Sequence, residues 1–209
     1  MADLCATCVR RSGVDGGGVS VMTSSGTGVV MYATDAISST IEDLQLTLGE
    51  GPCVDAAASG FPALIADLSD PSVGIGRRWP LFQDEASRIG VAAVFAFPIR
   101  IGAIGLGTLD LFRQSPGPLL DPQLTQALLC VDALGTALLG FDPYQHGENQ
   151  LSTRMVVHQA AGVAMVQLDT TIEEAMARLR ATAYAEDVSI NVLAADVVCG
   201  RRRLFKEEP

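Results

Sequence analysis

Three consecutive pieces decide how the C-terminal part of the chain folds: Arg154-Met-Val-Val-His-Gln-Ala-Ala-Gly-Val-Ala-Met165, Thr171-Ile-Glu-Glu-Ala-Met-Ala-Arg-Leu-Arg-Ala-Thr-Ala183 and Ser189-Ile-Asn-Val-Leu-Ala-Ala-Asp-Val-Val198. The first belongs to a segment from about 152 to 168 in which Val156, Ala160, Val163 and Val166 recur at helical spacing and predict one apolar face. The second opens on a capping box, with Thr171 as the cap and Glu174 at the position that reaches back. It continues with Ile172, Ala175, Met176, Leu179 and Ala183. The third begins at Ser189, a favourable N-cap, and carries Ile190, Leu193, Ala194, Val197 and Val198. Helices this short are marginal alone in water. They must bury their stripes against one another, which predicts a three-helix unit over 151–205, ending in the run Arg201, Arg202, Arg203.

Outward from this unit the charge changes. From residue 150 onward there are seven Lys/Arg against eight Asp/Glu, and before it seven against sixteen. The acid is thus concentrated in the first part, which would repel nucleic acid. Any polyanion contact is expected in the near-neutral C-terminal part. The 209 residues suggest one or two domains, and 48% hydrophobic content excludes a disordered chain. No apolar run approaches the ~20 residues that span a bilayer. The N-terminus shows no basic region ahead of a long apolar stretch, so a cytoplasmic location and no membrane partner are expected.

Five cysteines, Cys5, Cys8, Cys53, Cys130 and Cys199, lie scattered among apolar neighbours, as in a protein with reduced thiols. Cys5 and Cys8 form a CxxC without a second ligand pair. His146 and His158 have no ligand spacing, so no metal ligands are expected. No nucleophile and base are paired by spacing either, and no catalytic residue or enzymatic activity is expected.

Residues 1–140 alternate strands and helices. A helix is expected over 3–12, a glycine turn at 13–18 and a hairpin of 19–22 with 29–33. Helices at 37–48, 81–89 and 121–139 and strands at 61–65, 91–101 and 104–112 follow. Gly51 can end one helix and Pro52 start the next. This is an α+β order. The polar stretch 141–150, with Pro143 and Gly147, reads as a linker. The helix over 121–139 carries Leu124, Leu128, Val131, Leu134 and Leu138 nearly all round, which predicts a homodimer with a partner helix, such as the other subunit's N-terminal one, over the surplus.

The three C-terminal pieces, in order and without a gap, resemble the ANTAR domain, the RNA-binding module of bacterial transcription antiterminators. Leu48-Gly-Glu-Gly-Pro-Cys53, Arg78-Trp-Pro80 and Val94-Phe-Ala-Phe-Pro-Ile-Arg-Ile-Gly-Ala-Ile-Gly-Leu-Gly-Thr-Leu-Asp-Leu-Phe112 resemble the GAF domains of actinobacterial GAF-ANTAR proteins. The resemblance implies an antiparallel sheet flanked by helices that senses a small ligand, ahead of a three-helix module that grips a two-hairpin element of nascent RNA and promotes antitermination. An RNA face is expected to use Arg154, His158, Gln159, Arg180 and Tyr184, with close approach at Ala160 and Ala183 and phosphate contact from Arg201, Arg202 and Arg203. The alanines equally suit a helix core, and the arginine run equally suits a helix C-terminus. Many family members carry Lys where this chain has Ala161. Cys53, at a helix N-terminus that would activate a thiol, and Phe95 and Phe97 are candidate pocket residues, and each equally suits a core position. The cofactor stays open. The other class of function is a protein-interaction or dimerisation module that binds no RNA.

Overall fold

The computed structural model describes residues 1–22, 28–74, 78–140 and 148–205, with the side chains of 22, 28, 73 and 148–155 left aside. The chain divides into two compact units, Met1–Phe141 and Asp142–Pro209.

The first unit is a five-stranded antiparallel sheet of β1 (Gly16–Met22), β2 (Gly28–Ala33), β3 (Ala63–Ile65), β4 (Ala93–Ile101) and β5 (Ile104–Arg113), ordered β2-β1-β5-β4-β3. Two helices, α1 (Ala2–Ser12) and α5 (Asp121–Leu139), cover one face. Three, α2 (Ala36–Leu48), α3 (Pro52–Ser59) and α4 (Pro80–Arg88), cover the other. Side chains alternate across a strand, so β4 and β5 feed two cores. Phe95, Phe97, Ile99, Leu109 and Leu111 pack with Cys5, Cys8, Cys130 and Leu134 under α1 and α5. Val94, Ala96 and Phe112 pack with Ile41, Ala56, Trp79 and Phe82 under α2, α3 and α4. The CxxC residues are thus two buried positions one helical turn apart on α1.

Two expectations are corrected here. Gly16, Gly17 and Gly18 form the first three residues of β1 and pair with Phe112, Leu111 and Asp110 of β5, so they are strand and no turn. A Cβ on Gly18 would lie 2.6 Å from Glu42 Oε1, and one on Gly17 2.6 Å from the Asp110 carbonyl oxygen, so neighbours fill the space a side chain would take. Gly49, in the left-handed region at φ 67°, caps α2, which leaves Gly51 as the N-cap of α3. The Glu50 carboxylate accepts hydrogen bonds from the Leu81 and Phe82 backbone N–H groups at 2.7 and 2.9 Å, at the start of α4. Asp55 accepts from Trp79 Nε1 at 3.1 Å and pairs with Arg78 at 2.5 Å. The motif residues around 48–55 and 78–80 therefore clasp α3 to α4.

The second unit contains α6 (Glu148–Leu168), α7 (Ile172–Ala185) and α8 (Ile190–Val198). Thr171 accepts the Glu174 N–H at 3.2 Å and Ser189 accepts the Asn191 N–H at 3.2 Å, so both expected N-caps form, but the Glu174 carboxylate accepts from the Thr170 hydroxyl and does not close the expected box on Thr171. Ala175, Met176, Leu179 and Ala183 of α7 and Ile190, Leu193, Ala194 and Val197 of α8 are buried. On α6 the buried stripe is Val156, Val157, Ala160, Ala161, Ala164 and Leu168, whereas Val166 is 76% exposed. After Gly200 the chain turns back: Leu204 is buried and its N–H donates to Gln167 Oε1 of α6 at 3.0 Å. Most of the expected linker, 141–147, lies outside the described residues, and 148–150 belong to α6. No helix among the described residues is long and apolar enough to cross a membrane.

Candidate functional site

In the second unit, His158 and Arg180 come together from α6 and α7. Burial lowers the His158 pKa, and the nearby Arg180 charge lowers it further. Its Nε2 is buried and meets no hydrogen-bond partner among the described residues. The same burial lowers the Arg180 pKa. Gln159 is exposed beside them, and Tyr184, one turn after Arg180, is 51% exposed. The Arg154 side chain lies outside the described residues, although its backbone is in α6.

Three expectations for this unit change. Ala160 and Ala183 are fully buried in the helix core, so their side chains offer no surface to RNA in this packing. Ala161, where the family's lysine would stand, is equally buried. Arg201 pairs with Asp196 at 2.7 Å and Arg202 with Glu186, so two of the three expected phosphate contacts are held by carboxylates of their own unit. Arg203 is exposed and makes no ion pair among the described residues.

In the first unit, the three candidate pocket residues do not converge. Phe95 and Phe97 point to the α1/α5 side, and Cys53 lies on α3 on the opposite side of the sheet. Nor is Cys53 an activated thiol. Burial pushes its pKa well above the usual thiol range, and the nearby Asp110 and Glu42 carboxyls push it further, outweighing the helix N-terminus.

What surrounds Cys53 is a polar cluster inside the α2/α3 face. Strand register brings Ser20 opposite Thr108 and Gly18 opposite Asp110. Glu42 and Gln45 project from α2 onto them, and all these side chains are buried. Ser20 Oγ donates to Glu42 Oε2 at 2.5 Å, and Gln45 Nε2 donates to Asp110 Oδ2 at 3.4 Å. Gln45 Oε1 accepts the Cys53 N–H at 2.7 Å, and Cys53 Sγ lies 3.0 Å from Thr108 Oγ1. Gly51 makes room for this: a Cβ there would stand 2.6 Å from Gln45 Oε1, and its φ of 136° suits only glycine. Burial raises Glu42 well above the carboxylate range, with Asp110 adding to it, and burial raises Asp110 to about 6. Glu42, Cys53 and Asp110 present ligand atoms all within 4.8 Å of one another. Positions 42, 53 and 110 carry no spacing signal, because only the β1–β5 register and the α2–α3 corner unite them.

Compared with known proteins, residues 145–198 match the family model of the ANTAR domain. The first unit is similar to solved GAF domains. One is a GAF domain region from Geobacter sulfurreducens PCA, with a TM-score of 0.54 at 18% identity over 68% of this chain and 91% of that one. Another is a GAF domain/HD domain protein from Geobacter sulfurreducens, at 0.51 and 11% over 66% and 88%. A third is the GAF3 domain of a Synechocystis protein, at 0.50 and 14% over 66% and 90%. No curated protein matches the chain. The first unit therefore has a GAF fold, and the three helices that follow it are similar to the ANTAR domain.

Proposed function

We propose that the chain is a transcription regulator in which the GAF-fold unit senses a signal and the ANTAR unit binds hairpin RNA in a nascent transcript to promote antitermination. The observation that carries this reading is the ANTAR match across all three helices of the second unit. The His158–Arg180 pair supports it. A guanidinium beside an imidazole, with Gln159 and Tyr184 exposed next to them, suits stacking on unpaired bases and hydrogen bonding to their edges. Arg154 completes this face in the proposal, and Arg203 is its best-placed phosphate contact. Both domain types are regulatory, and the proposed mechanism involves binding without turnover.

A protein-interaction reading is favoured by one observation, the internal pairing of Arg201 and Arg202. Fluorescence anisotropy with a two-hairpin RNA separates the two. Charge-assisted hydrogen bonds contribute about 1.5–3 kcal/mol each, so Arg180→Ala should weaken binding at least tenfold with helicity unchanged. Affinity should fall with rising salt. No binding by the parent protein, or binding by Arg180→Ala and by an Arg154→Ala/Arg180→Ala double variant as tight as the parent's, would move the assignment to a protein partner.

A further inference from the structure

We propose that Glu42, Cys53 and Asp110 form a binding site for one divalent cation of borderline softness, with Zn2+ the best match. It concerns the first unit alone and holds whether or not the second binds RNA. The donor set is two carboxylates and a thiol, the mixture that suits zinc better than calcium or magnesium. In a tetrahedral zinc site with bonds of about 2.0–2.3 Å, neighbouring ligand atoms stand roughly 3.3–3.5 Å apart. The three ligand atoms here already lie within 4.8 Å of one another, inside the fold.

The second observation is an unsatisfied atom. Asp110 is 3% exposed, and its Oδ1 has no hydrogen-bond partner among the described residues. Glu42 and Cys53 stand beside it, and either would have to bring a proton of its own to satisfy it. A buried carboxylate in that position needs a proton or a cation. Every one of the three residues also has an orienting neighbour on another element. Ser20 of β1 donates to Glu42, Gln45 of α2 donates to Asp110, and Thr108 of β5 touches the Cys53 sulfur. Such outer contacts hold metal ligands in position. Binding would displace the protons held by the Cys53 thiol and the Glu42 carboxyl and release both to solvent.

The test uses the full chain carrying Cys199→Ser, which removes the exposed thiol, after treatment with a chelator. Titration with Co2+ should reach one equivalent per chain and show visible d–d bands with a thiolate-to-cobalt charge-transfer band. Zn2+ should displace the cobalt and raise the melting temperature of the first unit. Adding Cys53→Ser should abolish the charge-transfer band and weaken Zn2+ at least tenfold. Glu42→Gln and Asp110→Asn should each weaken Zn2+ and leave the circular dichroism intact. Should Cys53→Ser fail to fold, the two carboxyl variants decide. No saturable Co2+ binding, a charge-transfer band surviving Cys53→Ser, or carboxyl variants that bind Zn2+ as the parent does would overturn the proposal and leave the cluster as an acid pair that shares protons.

Discussion

Cys53 and Cys199 show how burial reverses an expectation drawn from helix position. A helix N-terminus favours a thiolate, but the cost of desolvating a charge beside two carboxyls is larger, and Cys53 stays protonated. Cys199 is the exposed cysteine. Iodoacetamide applied to the native protein at neutral pH should therefore modify Cys199 first and Cys53 only after unfolding, as read by peptide mass spectrometry. Comparable labelling of both in the native state would contradict the buried placement. His158 sets a pH dependence in the same way. Its folded pKa lies below the unfolded value of about 6.5. The neutral form is thus favoured on folding, and its stabilisation is complete above that value. It is lost as the pH falls from about 6.5 through the folded pKa. Melting of the second unit should shift down between pH 7 and 5, and His158→Gln should reduce that shift; an unchanged shift would assign it to other groups. His158 and Arg180 were named from the sequence as separate candidates on two helices, and nothing in the spacing showed that they meet. The cluster around Asp110 was not legible, since strand register joins residues tens of positions apart.

At the scale of the element, caps were read correctly, and helix phase was read correctly on α7 and α8 but not on α6. Thr171 and Ser189 act locally, so their short-range chemistry is visible in sequence. The helix α6 is apolar around most of its circumference, and spacing alone does not choose which side turns inward. Packing against α7 and α8 selects Val157, Ala161 and Ala164 and leaves Val166 in solvent. Gly162 sits in the middle of this helix with nothing within 4 Å of where a Cβ would stand. Glycine costs a helix interior about 1 kcal/mol relative to alanine. Gly162→Ala should raise the stability of the second unit by roughly that amount in chemical denaturation. If the glycine serves close approach of RNA, the same variant should lose RNA affinity; a stabilised variant with full affinity would place Gly162 off the contact face.

For the whole molecule, the two-part organisation was the most legible feature, because each part shows a self-sufficient apolar pattern. Limited proteolysis should cut first within 141–150, and early cuts inside the sheet would count against a boundary there. The dimer remains a proposal, now on a sharper footing. The N-terminal helix expected from a second subunit is supplied by the chain itself, since α1 packs on α5. The surface still left on α5 includes Leu128 and Leu129, 46% and 55% exposed. A second copy is the proposed cover. Light scattering should give twice the chain mass, and Leu129→Glu should give the monomer with unchanged circular dichroism; a parent that is monomeric at micromolar concentration would rule this surface out.

The glycine triplet at the start of β1 has a consequence for how such a chain can vary over generations. The Glu42 carboxylate occupies the space where a side chain at position 18 would begin. Any substitution at 18 evicts the acid, and a shorter residue at 42 opens a void that a side chain at 18 can fill. The two positions, 24 residues apart, are therefore inherited as a single character: the effects of Gly18→Ala and Glu42→Ala should fall short of their sum when combined. In related chains a residue larger than glycine at the first position should travel with loss of the carboxylate at the second.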